Sequence, residues 1–268
     1  MICFDPANYW ACAEGFEPPG FPDSRRRHLT EIENRHFWFP ARRRLLASLL
    51  ERHVPRSSTS RGAIELGCGT GDFLQVLSGM FESVVGVEAY GQSLAVAAEG
   101  DSTAVLIQSD ATTVPLDSGQ FDLVAALDVL EHVEPRSFLE EAARLAKPAG
   151  RLLVSVPAFP SLWSPLDEAA GHRCRYRLPD LVRQLAAYGW RVVHHTHYQA
   201  LLFPVVWLAR RFSTSRVRRL ERRPSDAIAI PFGMINQLEV SLFGGLRLPW
   251  GSSLIVVAER IPTIRSAA

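Results

Sequence analysis

Lysine is almost missing from this sequence. Lys147 is the only one among 268 residues, so basic charge is nearly all arginine, which reads as the codon bias of a GC-rich genome rather than as chemistry. Net charge is also small, +1, and exerts no global pull toward nucleic acid. Cysteine is scarce and scattered. Cys3, Cys12, Cys68 and Cys174 show no metal spacing and fit reduced thiols in a cytosolic protein better than a disulfide framework. Long apolar runs are absent too: the longest, 200–209, contains Pro204 and is too short to span a bilayer. The first residues carry acids and Pro6 where a signal peptide needs a basic start and an unbroken apolar core. A cytoplasmic location is expected.

What is present is a full-length domain's worth of strand and helix signals. Residues 1–30 are proline-rich, lack periodicity and carry the basic block Arg25-Arg26-Arg27-His28, so an irregular N-terminal arm is expected there. A helix pattern follows Pro40, over 41–53. From residue 61 apolar runs alternate with helical segments: strands at 61–67, 83–88, 104–110, 121–130 and 151–157, and a helix at 135–147 stopped by Gly150. That alternation predicts an α/β fold with a parallel sheet covered on both faces. Later come a helix at 178–190, a strand at 191–197, an insertion at 199–250 and a last strand at 252–260. No internal repeat or sharp linker divides the chain. The expectation is one domain over 31–268, capped by segments at about 31–54, 158–177 and 199–250.

The stretch "AIELGCGTGDFL", 63–74, carries the chemistry. A buried strand ends in a turn with three glycines, and a glycine turn leading into a helix brings bare backbone N–H groups close to a ligand. Dinucleotides and S-adenosylmethionine both use such turns. The dinucleotide spacing is G-x-G-x-x-G. Here it is G-x-G-x-G, with Asp72 at the helix start and Glu65 just before the turn. Carboxylates in those places oppose a pyrophosphate and suit a ligand with an ammonium and a sulfonium. Glu88 ends the second strand, where a carboxylate can accept both ribose hydroxyls. Asp110 ends the third, in place for an adenine amino group, and "DVLEHV", 128–133, follows the fourth.

With these residues in order, the sequence resembles the class I S-adenosylmethionine-dependent methyltransferases. The matching stretches are 65–73, 84–88, 108–133 and 145–157. A fainter resemblance to a bacterial type 11/23-like subgroup runs through "ENRHFWFPARRR", "GHRCRY" and "PFGMINQLE". The resemblance implies a Rossmann-like, seven-stranded, mostly parallel sheet with a reversed last strand. It implies that Glu65, Gly67, Cys68, Gly69 and Gly71 hold the methionine moiety and ribose, and Glu88 with Ala89 the ribose. Asp110 and Ala111 would hold the adenine, and Leu127, Asp128 and Val129 would lie at the sulfonium side. S-adenosylhomocysteine would be the product. "KPAG" replaces the usual "KPGG", with Gly150 expected to keep the turn.

Methyl transfer from a sulfonium is an in-line displacement, so the protein mainly aligns donor and acceptor, an effect worth roughly 7–11 kcal/mol. A base is needed only for a hydroxyl or protonated amine. His132 and His172 are the candidates; bracing a turn is the bland alternative for His132, a solvated basic loop that for the group around His172. Arg173, Arg175 and Tyr176, beside His172, would bind an acidic or phosphorylated acceptor. Phe37 and Trp38 would close over the donor or pin the N-terminal helix. The histidines of "VVHHTH" alternate on a strand, which spoils a simple metal triad, and no metal is expected. Seven arginines lie between 210 and 223. Three roles fit 200–223: an interfacial helix on anionic lipid, the wall of an acceptor pocket, or an ordinary cap helix. The expected protein is a monomer or homodimer methylating O or N, or else C, of a small molecule: a saccharide, a lipid-linked compound or a secondary metabolite. No nucleic-acid partner is expected. A donor-binding protein without methyl transfer, whether cyclase, decarboxylase or scaffold, is the rival.

Overall fold

Apolar runs without alternation become the central strands, and amphipathic segments between them become the covering helices. The structure, a computed structural model, describes residues 2–5, 9–12, 36–55, 61–100, 103–212 and 225–261. In chain order the first elements are β1 (Ile2–Asp5), β2 (Tyr9–Cys12), α1 (Trp38–His53), β3 (Gly62–Leu66), α2 (Leu74–Ser78), β4 (Ser83–Glu88), α3 (Gly91–Ala98) and β5 (Val105–Gln108). Then follow β6 (Phe121–Leu127), α4 (Pro135–Leu145), β7 (Ala146–Pro157), α5 (Pro165–Ala170), α6 (Leu178–Ala187), β8 (Trp190–Tyr198), α7 (Phe203–Arg211), α8 (Asp226–Phe243) and β9 (Ser253–Arg260).

The sheet order is β1-β2-β5-β4-β3-β6-β7-β9-β8. Strands β3 to β7 run parallel, and β9 lies antiparallel between β7 and β8. This is the expected Rossmann-like sheet with its reversed last strand. Both faces are buried. One core lies under α4 and α6, around Phe138, Leu139, Leu181 and Trp190; the other lies under α1, α2 and α3, around Leu45, Leu49, Leu74 and Leu94. The helix α1 buries Leu45, Leu46, Leu49 and Leu50, and Pro40 is accommodated in its first turn, where the missing N–H has no partner to lose.

Three local expectations need correcting. Part of the N-terminal arm is regular: β1 and β2 form a hairpin, and β2 pairs in parallel with β5. An edge strand leaves a row of unpaired backbone groups, and this hairpin covers β5. Residues 13–35, with the basic block, lie outside the described residues. The helix expected to 147 stops at Leu145, because β7 begins directly at Ala146. In "KPAG" the left-handed residue is Ala149, with φ of 60°, not Gly150. Gly150 answers a different demand: a Cβ there would sit 2.9 Å from the Lys147 carbonyl oxygen and 3.1 Å from that of Phe121.

Candidate active site

The carboxyl ends of β3, β4, β5 and β6 lie side by side, because consecutive neighbours in the sheet run parallel. The turn after β3 is built from glycines in the left-handed region, with φ of 75° at Gly67, 55° at Gly69 and 83° at Gly71. The N–H groups of Gly67 and Cys68 both donate to the Val87 carbonyl, at 2.7 and 2.9 Å, which ties the turn to β4. Gly67 leaves room for the loop after β6: a Cβ there would meet Val129 Cγ2 at 2.5 Å. The turn after β3 and the loop after β6 are therefore interlocked.

Glu88 braces the same turn. It accepts from Gly69 N–H at 3.0 Å with one oxygen and from Tyr90 N–H at 3.1 Å with the other. Each carboxylate oxygen can take more than one hydrogen bond, so this role is compatible with holding a diol. Glu65 is buried on β3. Asp110 accepts from the Thr112 N–H and hydroxyl, both at 2.7 Å, and shapes the loop after β5. The Ala89 carbonyl accepts from Gln108 Nε2 at 3.1 Å, and Ala111 packs on the core. Asp72 is not bare at the helix start: Arg43 of α1 pairs with it, and burial raises its carboxyl while that arginine opposes the shift.

Asp128 is the junction. It follows Leu127, the half-buried last residue of β6, and has φ of 59°, which turns its carboxylate across the sheet end. Arg42 Nη2 donates to it at 2.6 Å and to Ser155 Oγ at 2.7 Å, and the Ser155 hydroxyl donates to its other oxygen at 2.8 Å. The Arg42 guanidinium also lies 4.2 Å from the Trp38 ring centre. The Trp38 carbonyl accepts from the Tyr198 hydroxyl at 2.7 Å. One buried arginine thus ties the start of α1 to the donor edge.

Beside Asp128 opens a cavity of about 640 Å³. Its walls include Phe37 and Trp38, the apolar side chains Leu202, Val205 and Phe232 from the insertion, and the polar residues Glu131, His172, Arg175 and Arg210. Phe37 packs edge-to-face on Phe232, with ring centres 5.5 Å apart. Five of the anticipated residues come together here: Phe37, Trp38, Asp128, His172 and Arg175. Three do not line this cavity. The Arg173 side chain is exposed and only its N–H acts inward, on the Glu131 carbonyl at 2.8 Å. Tyr176 is buried in the core with its hydroxyl on the Leu130 carbonyl at 3.1 Å. His132 lies behind His172, ring centres 5.0 Å apart, and its Nδ1 donates to the Gly171 carbonyl at 3.3 Å. Burial lowers the His132 pKa, and the neighbouring His172 adds to that.

Asp167, absent from the sequence reading, organises the polar wall. It receives His172 Nδ1 at 3.1 Å, Arg175 Nη2 at 2.6 Å and Arg210 Nη1 at 3.0 Å. Burial pushes its carboxyl up, but the hydrogen bonds from His172 and Arg175, with the arginine charges, prevail and hold it well below the usual range. The signal was in the sequence: "SPLD" has the capping-box spacing, and Ser164 and Asp167 make that box at the start of α5. Glu131 was also missed as a site residue. It is buried, and neither carboxylate oxygen has a hydrogen-bond partner. Burial and then the Asp128 charge push its pKa well above the usual range.

The residues fit S-adenosylmethionine. Four carboxylates stand at neighbouring strand ends beside a turn of left-handed glycines, a set that matches an ammonium, a ribose diol, an adenine amine and a sulfonium, and repels a diphosphate. Comparison with known proteins agrees. Residues 64–154 match the family model described as a methyltransferase domain. A ubiquinone biosynthesis O-methyltransferase of Thiobacillus denitrificans is 31% identical over 98 residues, which cover 34% of this chain and 42% of that one. The match thus spans less than half of that relative. Among solved structures, a Haemonchus contortus phosphoethanolamine N-methyltransferase in complex with S-adenosylmethionine aligns with a TM-score of 0.58 at 16% identity, over 90% of this chain and 57% of that one. A geranyl diphosphate methyltransferase in complex with S-adenosylmethionine aligns with a TM-score of 0.57 at 14% identity, over 92% of this chain and 94% of that one. These two likenesses show the fold.

Proposed function

We propose that the chain, whose residues 64–154 match the methyltransferase-domain family model, is a class I S-adenosylmethionine-dependent methyltransferase that methylates an oxygen or nitrogen of a lipophilic small molecule met at a membrane surface. The observation that carries this reading is the cavity beside Asp128, with apolar cap walls and a polar floor. Bound at the glycine turn, the donor supplies a methyl group already activated by positive sulfur. The chain's own residues do the rest. Glu65 and Glu88 hold the donor's ends, and Asp128, fixed by Arg42 and Ser155, sets the depth of the site. Phe37 and Trp38 exclude water from the junction. Arg175 and Arg210 suit an acidic group on the acceptor's polar end.

The outer surface supports the lipophilic acceptor. α8 turns its hydrophobicity outward: Asn236 and Glu239 are buried, while Ile230, Met234, Leu238 and Leu242, one helical turn apart, are exposed. α7 exposes Trp207 and Leu208 and ends in the exposed Arg211. An apolar face beside cationic residues matches an anionic bilayer surface. The further arginines, 216–223, lie outside the described residues. Among the described residues no helix is long and apolar enough to cross a membrane.

Calorimetry should give binding of S-adenosylmethionine and none of NAD. Incubation with methyl-labelled donor and lipid extract should put label into the organic phase with an equal yield of S-adenosylhomocysteine. Donor binding without formation of that product would favour the non-methylating rival. Label confined to water-soluble acceptors would overturn the lipophilic one.

A further inference from the structure

We propose that Glu131, His132 and His172 form a binding site for one divalent transition-metal ion, placed to hold the acceptor's hydroxyl beside the donor. One ligand atom from each residue lies within 4.8 Å of the other two. His172 Nε2 stands 4.0 Å from Glu131 Oε1. Two atoms each about 2.1 Å from a common ion can be at most about 4.2 Å apart, so that pair lies within reach of one ion, and small side-chain rotations would close the cluster around it.

Tautomers favour the same reading. The Nδ1–H of His172 is committed to Asp167, and that of His132 to the Gly171 carbonyl. Both acceptors lack a proton to give, so the protons sit on Nδ1 and each Nε2 keeps its lone pair. A ligating histidine typically donates its other N–H to a carboxylate or carbonyl in this way. Glu131 supplies the independent observation. A buried carboxylate whose two oxygens have no hydrogen-bond partner is costly, and a cation between it and the imidazoles removes that cost. Asp128, which shares the cavity wall with Glu131, is committed to Arg42 and Ser155 and is not a fourth ligand.

Two imidazoles and one carboxylate suit a zinc- or manganese-like ion over magnesium or calcium. Three protein ligands leave coordination positions open, and Glu131 and His172 lie on the cavity wall, so an acceptor oxygen can take one. In that place an O–H gives its proton to water at lower cost. The oxygen lone pair then forms the bond to the methyl carbon as the carbon–sulfur bond breaks, its electron pair remaining on sulfur as a neutral thioether. This catalytic role rests on the methyltransferase reading, and it selects oxygen as the methylated atom; binding of the ion does not depend on it.

The test is calorimetric titration of chelator-stripped full-length protein with Zn²⁺ and Mn²⁺, with donor binding measured on the same samples. One ion per chain is expected. Glu131→Gln and His172→Ala should each weaken it by roughly 100-fold, while donor affinity stays within about twofold. Glu131→Gln keeps the size and shape of the buried side chain, so its near-ultraviolet circular dichroism should match the parent. His195→Ala, outside this cluster, controls for adventitious histidine binding and should change nothing. Absence of a stoichiometric ion, or equal affinity in Glu131→Gln and parent, overturns the site. Equal methylation of a hydroxyl acceptor by stripped and ion-loaded protein overturns the role. Ion binding without donor binding leaves the site standing and sinks the methyltransferase reading instead.

Discussion

The donor edge and the cap are built differently. Each donor-side residue stands at the end of its own strand, and bonds from backbone N–H groups, such as Gly67 to the Val87 carbonyl and Gly69 to the Glu88 carboxylate, fix it. The cap side is joined over long sequence distances by side chains: the ion pairs Arg42 to Asp128 and Arg210 to Asp167, and the Tyr198 hydroxyl to the Trp38 carbonyl. The first construction fixes one ligand through main chain. The second leaves the walls open to substitution, which is how one sheet serves many acceptors.

The comparison can be broken most sharply at its donor end. Gly67→Val adds a side chain at positive φ against Val129, so donor affinity should fall by at least about 100-fold and the melting temperature should drop. Donor binding retained in that variant would mean the turn is not the donor site. Arg42→Met tests the link between the halves. It strands the Asp128 carboxylate, one third of whose side chain is exposed, and should cost about 2–3 kcal/mol in urea unfolding while weakening donor and acceptor binding together. A loss confined to one ligand would show the halves to be independent.

The cap alone is tested by Met234→Ser with Leu238→Ser. These exposed changes should leave the melting temperature within about 1 °C but reduce flotation with anionic vesicles by about tenfold. Unchanged flotation, or a monomer–dimer shift instead, would assign that face to a second copy of the chain. Away from both halves, His194 stacks on His53 at 4.4 Å, and burial, with the His53 charge, takes its pKa down to about 4. The unfolded imidazole titrates near 6.5, so the unfolded chain binds the extra proton first. Stability should be complete above that pH and fall by about 2 kcal/mol as pH drops toward 4. His194→Gln should flatten that part of the profile. The smallest effect is expected from Ala149→Gly, which relieves the left-handed alanine and should add about 0.5–1 kcal/mol without touching activity.

The donor half was legible because its information is local. A strand pattern, a glycine turn and a carboxylate at each strand end are adjacent in sequence, and parallel pairing brings them together. The cap resisted for physical reasons. Nothing in "ARRRLL" distinguishes Arg42, which turns inward to Asp128, from Arg43 and Arg44, which pair with Asp72 and Gln237. In α8 hydropathy points the wrong way, since Asn236 and Glu239 are buried and Met234 is exposed. The Leu201 N–H shows why: it donates to Glu239 at 2.7 Å, a bond no periodicity reveals. Glu131 was read only as part of "DVLEHV"; its neighbour His172 lies 41 residues on and approaches it after the turn at Gly171.

The placement of β9 bears on how the chain is made. It is the last strand in chain order, yet it sits inside the sheet, flanked by β7 and β8. While residues 253–260 are still in the ribosome tunnel, β7 presents a raw rim and β8 has nothing to dock on. Vectorial folding from the N-terminus therefore leaves the cap side of the sheet open until residues 253–260 emerge and slot between β7 and β8.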